Sequence, residues 1–228
     1  MIFENYESLL ERFLNKSYKF IFFPELQIEE NRQIILRHDV DLDLDLAFQM
    51  AKIENSLGIK STYFFLLRTD SYNLISDTSA DILYKFKELG HSVSLHFDML
   101  LYENIKDGLE KEREIFAYYF DTEINIISIH RPNDEFLKNP EGYFNVENTY
   151  EKMYSKDIQY FSDSEGSFRF GYPTNSNAFE NNKNIQLLIH PVWWTTNGNN
   201  VINTVNKVIY KKSKKLELHF KKNIKTFR

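Results

Sequence analysis

Apolar and polar positions along this 228-residue chain follow two alternating periods, and the switches between them lay out an order of strands and helices. Tyr6, Leu9, Leu10 and Phe13 recur at the spacing of one helix face, which predicts an amphipathic helix over 4–16. Ile34, Ile35 and Leu36 open an apolar run that predicts a buried first strand over 34–38, delivering His38, Asp39 and Asp41 at its end. Leu46, Met50, Ile53 and Leu57 form a second helical stripe, which Gly58 can close. Residues 60–67 are rich in β-branched and aromatic side chains and predict the second strand. A helix over 79–89 stopped by Gly90, a strand over 91–98, a charged helix over 103–120 and a strand over 124–131 continue the rhythm. Residues 133–156 are mixed and predict a loop with one short helix. Strands at 158–161 and 185–189 follow, and a last helix begins near Val201, burying Val201, Val205, Val208 and Ile209.

Strands alternating with helices imply an α/β fold with a mostly parallel sheet, either open and doubly wound or rolled into a barrel. Right-handed connections put every strand's carboxyl end on one face, so side chains distant in sequence can meet there. At those ends stand Asp39 and Asp41, His96 and Asp98, His130 and Arg131, Asp163, and His190. Four of the six histidines occupy such positions, each with an acid nearby in the fold this pattern implies.

Composition narrows what this face can do. There are no cysteines, which excludes disulfides and thiolate ligands and leaves His, Asp and Glu to hold any metal. Imidazole and carboxylate together suit a hydrolytic divalent ion, zinc first, that keeps a position open for water. The first residues carry acids where a secretory signal carries basic ones, and no apolar run approaches the length of a membrane span, so a cytoplasmic protein is expected. The formal charge of -5 hides an asymmetry: residues 207–228 hold nine Lys/Arg against one acid, and the first 206 hold 19 against 32. The acidic body argues against nucleic acid as a partner. The basic end suits either a solvated helix face or a peripheral contact with an anionic membrane surface.

The stretch Asp39, Val40, Asp41, Leu42, Asp43 begins like a calcium-binding EF-hand loop, but the required glycine is Leu44 and the closing glutamate is Met50. His38 and Asp39 are paired as in metal phosphohydrolases, yet those pairs belong to helical domains and this one ends an apolar strand. One of Asp41, Asp43 and Asp45 is expected to cap the following helix, leaving Asp39 for chemistry.

In their order, these motifs resemble the NodB-like polysaccharide deacetylases, carbohydrate esterase family 4, and in particular short cytoplasmic members associated with surface-polysaccharide biosynthesis. The resemblance spans roughly residues 34–195 and rests on motif order rather than close identity. It implies a distorted (β/α) barrel with an added N-terminal helix: a single deacetylase domain over 1–228, with 1–33 as a cap and 207–228 as a basic helix or tail. Asp39 and Asp41 match the family's base and metal aspartates, and His96 its first metal histidine. Arg131, in His130-Arg131-Pro132, matches the arginine that orients the base; Asp163 matches the acid that holds this arginine, and His190 the general acid. The second metal histidine of the family falls on Leu100, so His130 is taken as its replacement and Asp41, His96 and His130 as the metal set. Asp98 is expected as a ligand or an outer-shell partner. Trp193 and Trp194 suit stacking against a sugar ring.

With the resemblance, the expected activity is metal-dependent removal of an N-acetyl or other N-acyl group from a sugar, nucleotide- or lipid-linked, in capsule, O-antigen or related synthesis. The alternative, which Leu100 motivates, is an inactive carbohydrate-binding or scaffolding module on the same fold.

Overall fold

The computed structural model describes residues 3–227; Met1, Ile2 and Arg228, which the expected domain, cap and tail include, lie outside the described residues. The chain opens with α1 (Tyr6–Asn15) and β1 (Lys19–Ile21), and then runs β2 (Gln33–Val40), α2 (Leu44–Ser56), β3 (Thr62–Phe65), α3 (Asp77–Glu88), β4 (Ser92–Asp98), α4 (Ile105–Phe120) and β5 (Ile126–His130). Short elements follow: α5 (Asp134–Lys138), β6 (Glu147–Asn148) and α6 (Lys152–Ser155). The chain then completes β7 (Gln159–Ser162), α7 (Asn177–Glu180), β8 (Ile185–Ile189), α8 (Pro191–Thr195) and α9 (Val201–Asn223). The long elements are those the periodicities predict. β1 and β6 are not, because two or three residues are too few to show a period of two.

Every strand pair is parallel, and the strand order is β6-β5-β4-β3-β2-β8-β7. β2 is central: β1 and β3 pair with successive halves of one edge, and β8 with the other. The sheet is strongly curled. In a flat sheet β2 and β5 would stand three strand spacings apart, about 14 Å, yet the Arg37 guanidinium on β2 donates to Ser128 Oγ on β5 at 3.0 Å. From β8, the Gln186 side chain donates to the carbonyls of Thr149 and Tyr154, across the gap between the free edges β6 and β7. The result is a distorted (β/α) barrel that curls round an interior without pairing its last strands among the described residues.

Alternation along β2 sorts its residues between two environments. Ile34 and Leu36 face outward, against Leu9, Leu10 and Phe13 of α1 and Leu187 of β8. Ile35, Arg37 and Asp39 face inward. Ile35 joins Phe23, Phe64, Ile126, Tyr154 and Ile158 in an apolar plug at the bottom of the barrel. A separate cluster packs Tyr63, Phe65, Leu95 and Phe97 against α3 and α4 through Phe86, Phe116 and Phe120. Polarity thus increases up the interior toward the strands' carboxyl ends.

The outer layer also holds buried polar groups. Glu54 of α2 accepts hydrogen bonds from Tyr6 (2.6 Å), Tyr63 (3.0 Å) and Ser61, and His38 Nε2 lies 2.8 Å from its carboxylate. None of Glu54, His38 and Ser61 is exposed. Helix starts follow their polar caps: Asp43 accepts from Leu46 N–H at 2.9 Å and is the acid that caps α2. Gly58 (φ 69°) and Gly90 (φ 85°) take the left-handed conformation that ends α2 and α3.

Candidate active site

Because β2 alternates, the two charged residues it sends inward stack one above the other. Arg37 is fully buried and donates to Asp39 Oδ2 at 2.8 Å, to Ser128 Oγ at 3.0 Å and to Gln186 Oε1 at 3.0 Å. Ser128 Oγ also lies 3.0 Å from both Asp39 carboxylate oxygens. Burial alone would raise the Asp39 pKa, but the Arg37 cation, with His96 and His190, outweighs it and holds this carboxyl well below the usual range. Asp39 is therefore a carboxylate at neutral pH, fixed on its lower side by Arg37 and Ser128.

One step further along the chain, Asp41 meets two imidazoles. Its Oδ1 lies 3.3 Å from His96 Nε2 and 3.7 Å from His130 Nδ1, and those two nitrogens are 3.1 Å apart. β4 and β5 are neighbours: His96 stands level with Ser128, and His130, one inward position further along β5, leans to within 3.1 Å of it. Burial and the neighbouring His96 keep His130 below the ordinary imidazole range, which favours a free lone pair. His96 is raised: against burial, Asp39 and Asp41 favour its proton.

These atoms fit a divalent ion. Ligands about 2.1 Å from a tetrahedral metal stand roughly 3.4 Å from one another, and the three separations here bracket that value. Asp41 Oδ1 is buried without a hydrogen-bond partner among the described residues, an acceptor left to a cation.

His190 ends β8 on the other side of Asp41, its Nε2 3.8 Å from Asp41 Oδ2. Its Nδ1 lies 2.6 Å from Asp163 Oδ1, and its backbone N–H also donates to that carboxylate. Trp194 Nε1–H donates to Asp163 Oδ2 at 2.7 Å, so Asp163, fully buried after β7, serves three donors. Burial would lower the His190 pKa, but Asp163 reverses this and lifts it to about 9. The Nδ1–H bond to Asp163 leaves Nε2 facing the cluster with a proton to give.

The structure brings together Asp39, Asp41, His96, His130, His190 and Asp163, and differs from what was expected of Arg131, of Asp98 as a ligand, and of Trp194. Arg131 does not pair with Asp163 or reach Asp39: the chain turns into a left-handed conformation at Arg131 (φ 51°), and its half-exposed side chain pairs with Asp98. Arg37 occupies the place beneath Asp39, and Asp163 holds His190. Asp98 lies outside the three-residue cluster, tied to Arg131 and to the backbone N–H of Leu100. Nor is Trp194 free to stack on a sugar, because α8 winds directly after His190 and turns the indole onto the Phe3 ring (4.5 Å, 8° between planes), with its N–H spent on Asp163. Trp193 packs beside Leu46, Val192 and Val208. Leu100 sits on a 3-10 turn at Met99–Leu101 and is 58% exposed, so the fold turns this position away from the cluster.

Arg37 and Ser128 are the residues that sequence reasoning missed. Both carried a signal: a polar residue in an apolar strand, two positions from Asp39 and from His130 respectively, on the same inward face.

No family model matches the chain, and no curated protein matches it in sequence. Among solved structures, the catalytic domain of a peptidoglycan N-acetylglucosamine deacetylase from Eubacterium rectale is 12% identical, with a TM-score of 0.49, over 88% of this chain and 90% of that one. A peptidoglycan deacetylase from Bacillus subtilis is 12% identical, with a TM-score of 0.48, over 83% and 87%. A pseudoenzyme of the CE4 family from Bacillus anthracis is 11% identical, with a TM-score of 0.48, over 86% and 68%.

Proposed function

We propose that this chain is a metal-dependent hydrolase that removes an N-acyl group, foremost N-acetyl, from a sugar. The observation that carries this reading is the flanking of one Asp41–His96–His130 cluster by two separately tuned groups, Asp39 over Arg37 and His190 over Asp163. Two titratable groups whose surroundings drive them to opposite protonation states are the signature of divided acid and base work. Zinc is the ion we assign to a carboxylate–imidazole–imidazole set. The sugar, nucleotide- or lipid-linked and destined for a surface polysaccharide, is assigned on the motif order.

A divalent ion held by Asp41, His96 and His130 would supply polarisation of the acyl carbonyl. Asp39, kept ionised by Arg37 and oriented by Ser128, accepts the proton of the attacking water. His190 then gives its Nε2 proton to the departing amine, while Asp163 fixes the ring and stabilises the imidazolium.

The test is metal content and acetate release from a panel of N-acetylated sugars, free and nucleotide-linked. We expect one divalent ion per chain, lost in His96→Ala. Asp39→Asn should keep the ion and lower turnover by about 10²–10⁴. Protein that binds no metal, or a His96→Ala variant that releases acetate at the parent rate, would overturn the assignment. Sugar binding without acetate release, indifferent to Asp39→Asn and to chelation, would establish the binding-module alternative.

A pH profile addresses His190 directly. As a general acid it works while protonated, so kcat/KM should fall as pH rises through about 9. The same raised pKa stabilises the fold fully below the unfolded value of about 6.5, and this contribution is lost as pH rises through the folded value. Asp163→Asn removes the largest favourable charge and leaves Asp41 and Asp39 alone to oppose burial. The alkaline limb should therefore move down from about 9. An unmoved limb would remove His190 from the role of acid.

A further inference from the structure

The carboxyl-terminal helix is left largely uncovered. Thr204 and Val208 are the buried residues of α9, while Ile202 (74% exposed), Ile209, Leu216 and Phe220 stand in water. At 100° per residue these four fall within about 40° of one another, an apolar stripe interrupted by Ser213 on the side of the helix away from Thr204 and Val208. Lysines occupy much of the remaining circumference. Lys211 lies 3.4 Å from Asp43 and 3.5 Å from Asp45, and Lys215 3.5 Å from Asp45. Lys212 donates to the carbonyl of Ser71. Lys214 and Lys221 share Glu217, and Lys222 and Lys225 form no ion pair among the described residues.

These anchors fix where the helix lies. Asp43 and Asp45 follow β2, and Ser71 follows β3, so α9 runs along the rim of the face that carries the candidate site. Other exposed apolar residues come from the same strand ends: Leu100 and Leu101 after β4, and Phe170 (87% exposed) after β7. We propose that α9 docks on an anionic lipid bilayer, inserting the Ile202–Ile209–Leu216–Phe220 stripe among the headgroups and turning the strands' carboxyl ends toward the membrane.

Charge decides between occupants. Pairing the stripe with a second copy of itself would bring together two segments that each carry nine basic residues and one acid over 207–228. An anionic surface instead attracts that charge while taking up the apolar stripe, the combination that interfacial helices use. Docking requires no catalysis. Its consequence for substrate, that a membrane-borne sugar would meet the site directly, rests on the deacetylase reading.

The experiment is co-sedimentation of the full chain with phosphatidylcholine vesicles, with and without phosphatidylglycerol. We expect partitioning onto the anionic vesicles only, weakening with salt as the Debye length shrinks from about 10 Å at 0.1 M to about 3 Å at 1 M. Ile209→Asn with Leu216→Asn, both at exposed positions, should reduce partitioning roughly tenfold or more with the fold intact by circular dichroism. Lys222→Glu with Lys225→Glu should act in the same direction. Asp39→Asn should partition like the parent while losing acetate release, which separates docking from catalysis. No partitioning by the parent, equal partitioning by the double asparagine variant, or equal binding to neutral vesicles would overturn the proposal. So would a lipid-free dimer that the same asparagine pair dissolves, since the stripe would then be a contact between copies.

Discussion

Arg37→Met should destabilise the protein by about 3–5 kcal/mol at neutral pH, because it leaves the Asp39 carboxylate buried with Ser128 as its remaining donor. Methionine nearly preserves the volume, so the effect reads the lost charge and its hydrogen bonds rather than a cavity. Gln186 Oε1 loses a partner as well. The sign of the pH dependence follows from Asp39, whose pKa the fold depresses against the pull of burial. A depressed carboxyl stabilises the folded state above its unfolded pKa, about 3.9, and the contribution disappears as pH falls below that value. Urea unfolding should therefore show a wide gap between parent and variant at pH 7 that narrows in acid. Adding Asp39→Asn to Arg37→Met should recover much of the stability, since no charge is then left unpaired, without recovering turnover. Arg131→Met is the contrast: its pair with Asp98 is half-exposed on the arginine side and Asp98 keeps the Leu100 N–H, so its loss should cost less than that of Arg37, whose partner and guanidinium are both buried. Equal penalties for the two arginines would mean that Arg37 is not what holds Asp39.

That contrast marks where sequence reading ended. Periodicity located the long elements, and the rule that parallel strands share a carboxyl face gathers Asp39, Asp41, His96, Asp98, His130, Arg131, Asp163 and His190 without separating the members of the site from its neighbours. It could not say which arginine lies under Asp39. A period of two gives the face on which Arg37 sits, but its contact with Ser128 depends on how tightly the sheet curls, a property of the whole barrel. Arg131 misled for a local reason: it follows β5 directly, where the left-handed turn swings its side chain to the rim. Trp194 misled because five residues of α8 decide its direction, and a tryptophan beside a polar site reads alike whether it faces a ligand or Phe3. Leu100 looked like a lost ligand when compared by spacing, yet it lies on a turn that faces solvent while His130 reaches the cluster from the next strand.

The outer layer offers the second large effect, at Glu54. Replacing it with leucine would leave the buried hydroxyls of Tyr6 and Tyr63 and the Nε2 of His38 around an apolar side chain, while Ser61 keeps His91 Nδ1 at 3.0 Å. Unpaired buried donors cost about 1–3 kcal/mol each before relaxation. For a chain of this length that corresponds to a fall in Tm on the order of 10 °C. Burial alone would raise the Glu54 pKa, but His38, with help from His91 and Ser61, holds it below the ordinary range. Its contribution is therefore fully present above the unfolded value of about 4.3 and is lost as pH falls from there through the lower folded value, so the difference in Tm should be largest near neutrality. The damage should also reach the candidate site. His38 Nδ1–H donates to the carbonyl of Ile189 at 3.1 Å, and Ile189 immediately precedes His190. A Glu54→Gln variant keeps one acceptor oxygen for these donors and should lose less stability than leucine. If thermal unfolding places Glu54→Leu within a degree or two of the parent, the carboxylate is not the centre of this layer and His38 holds β8 without it.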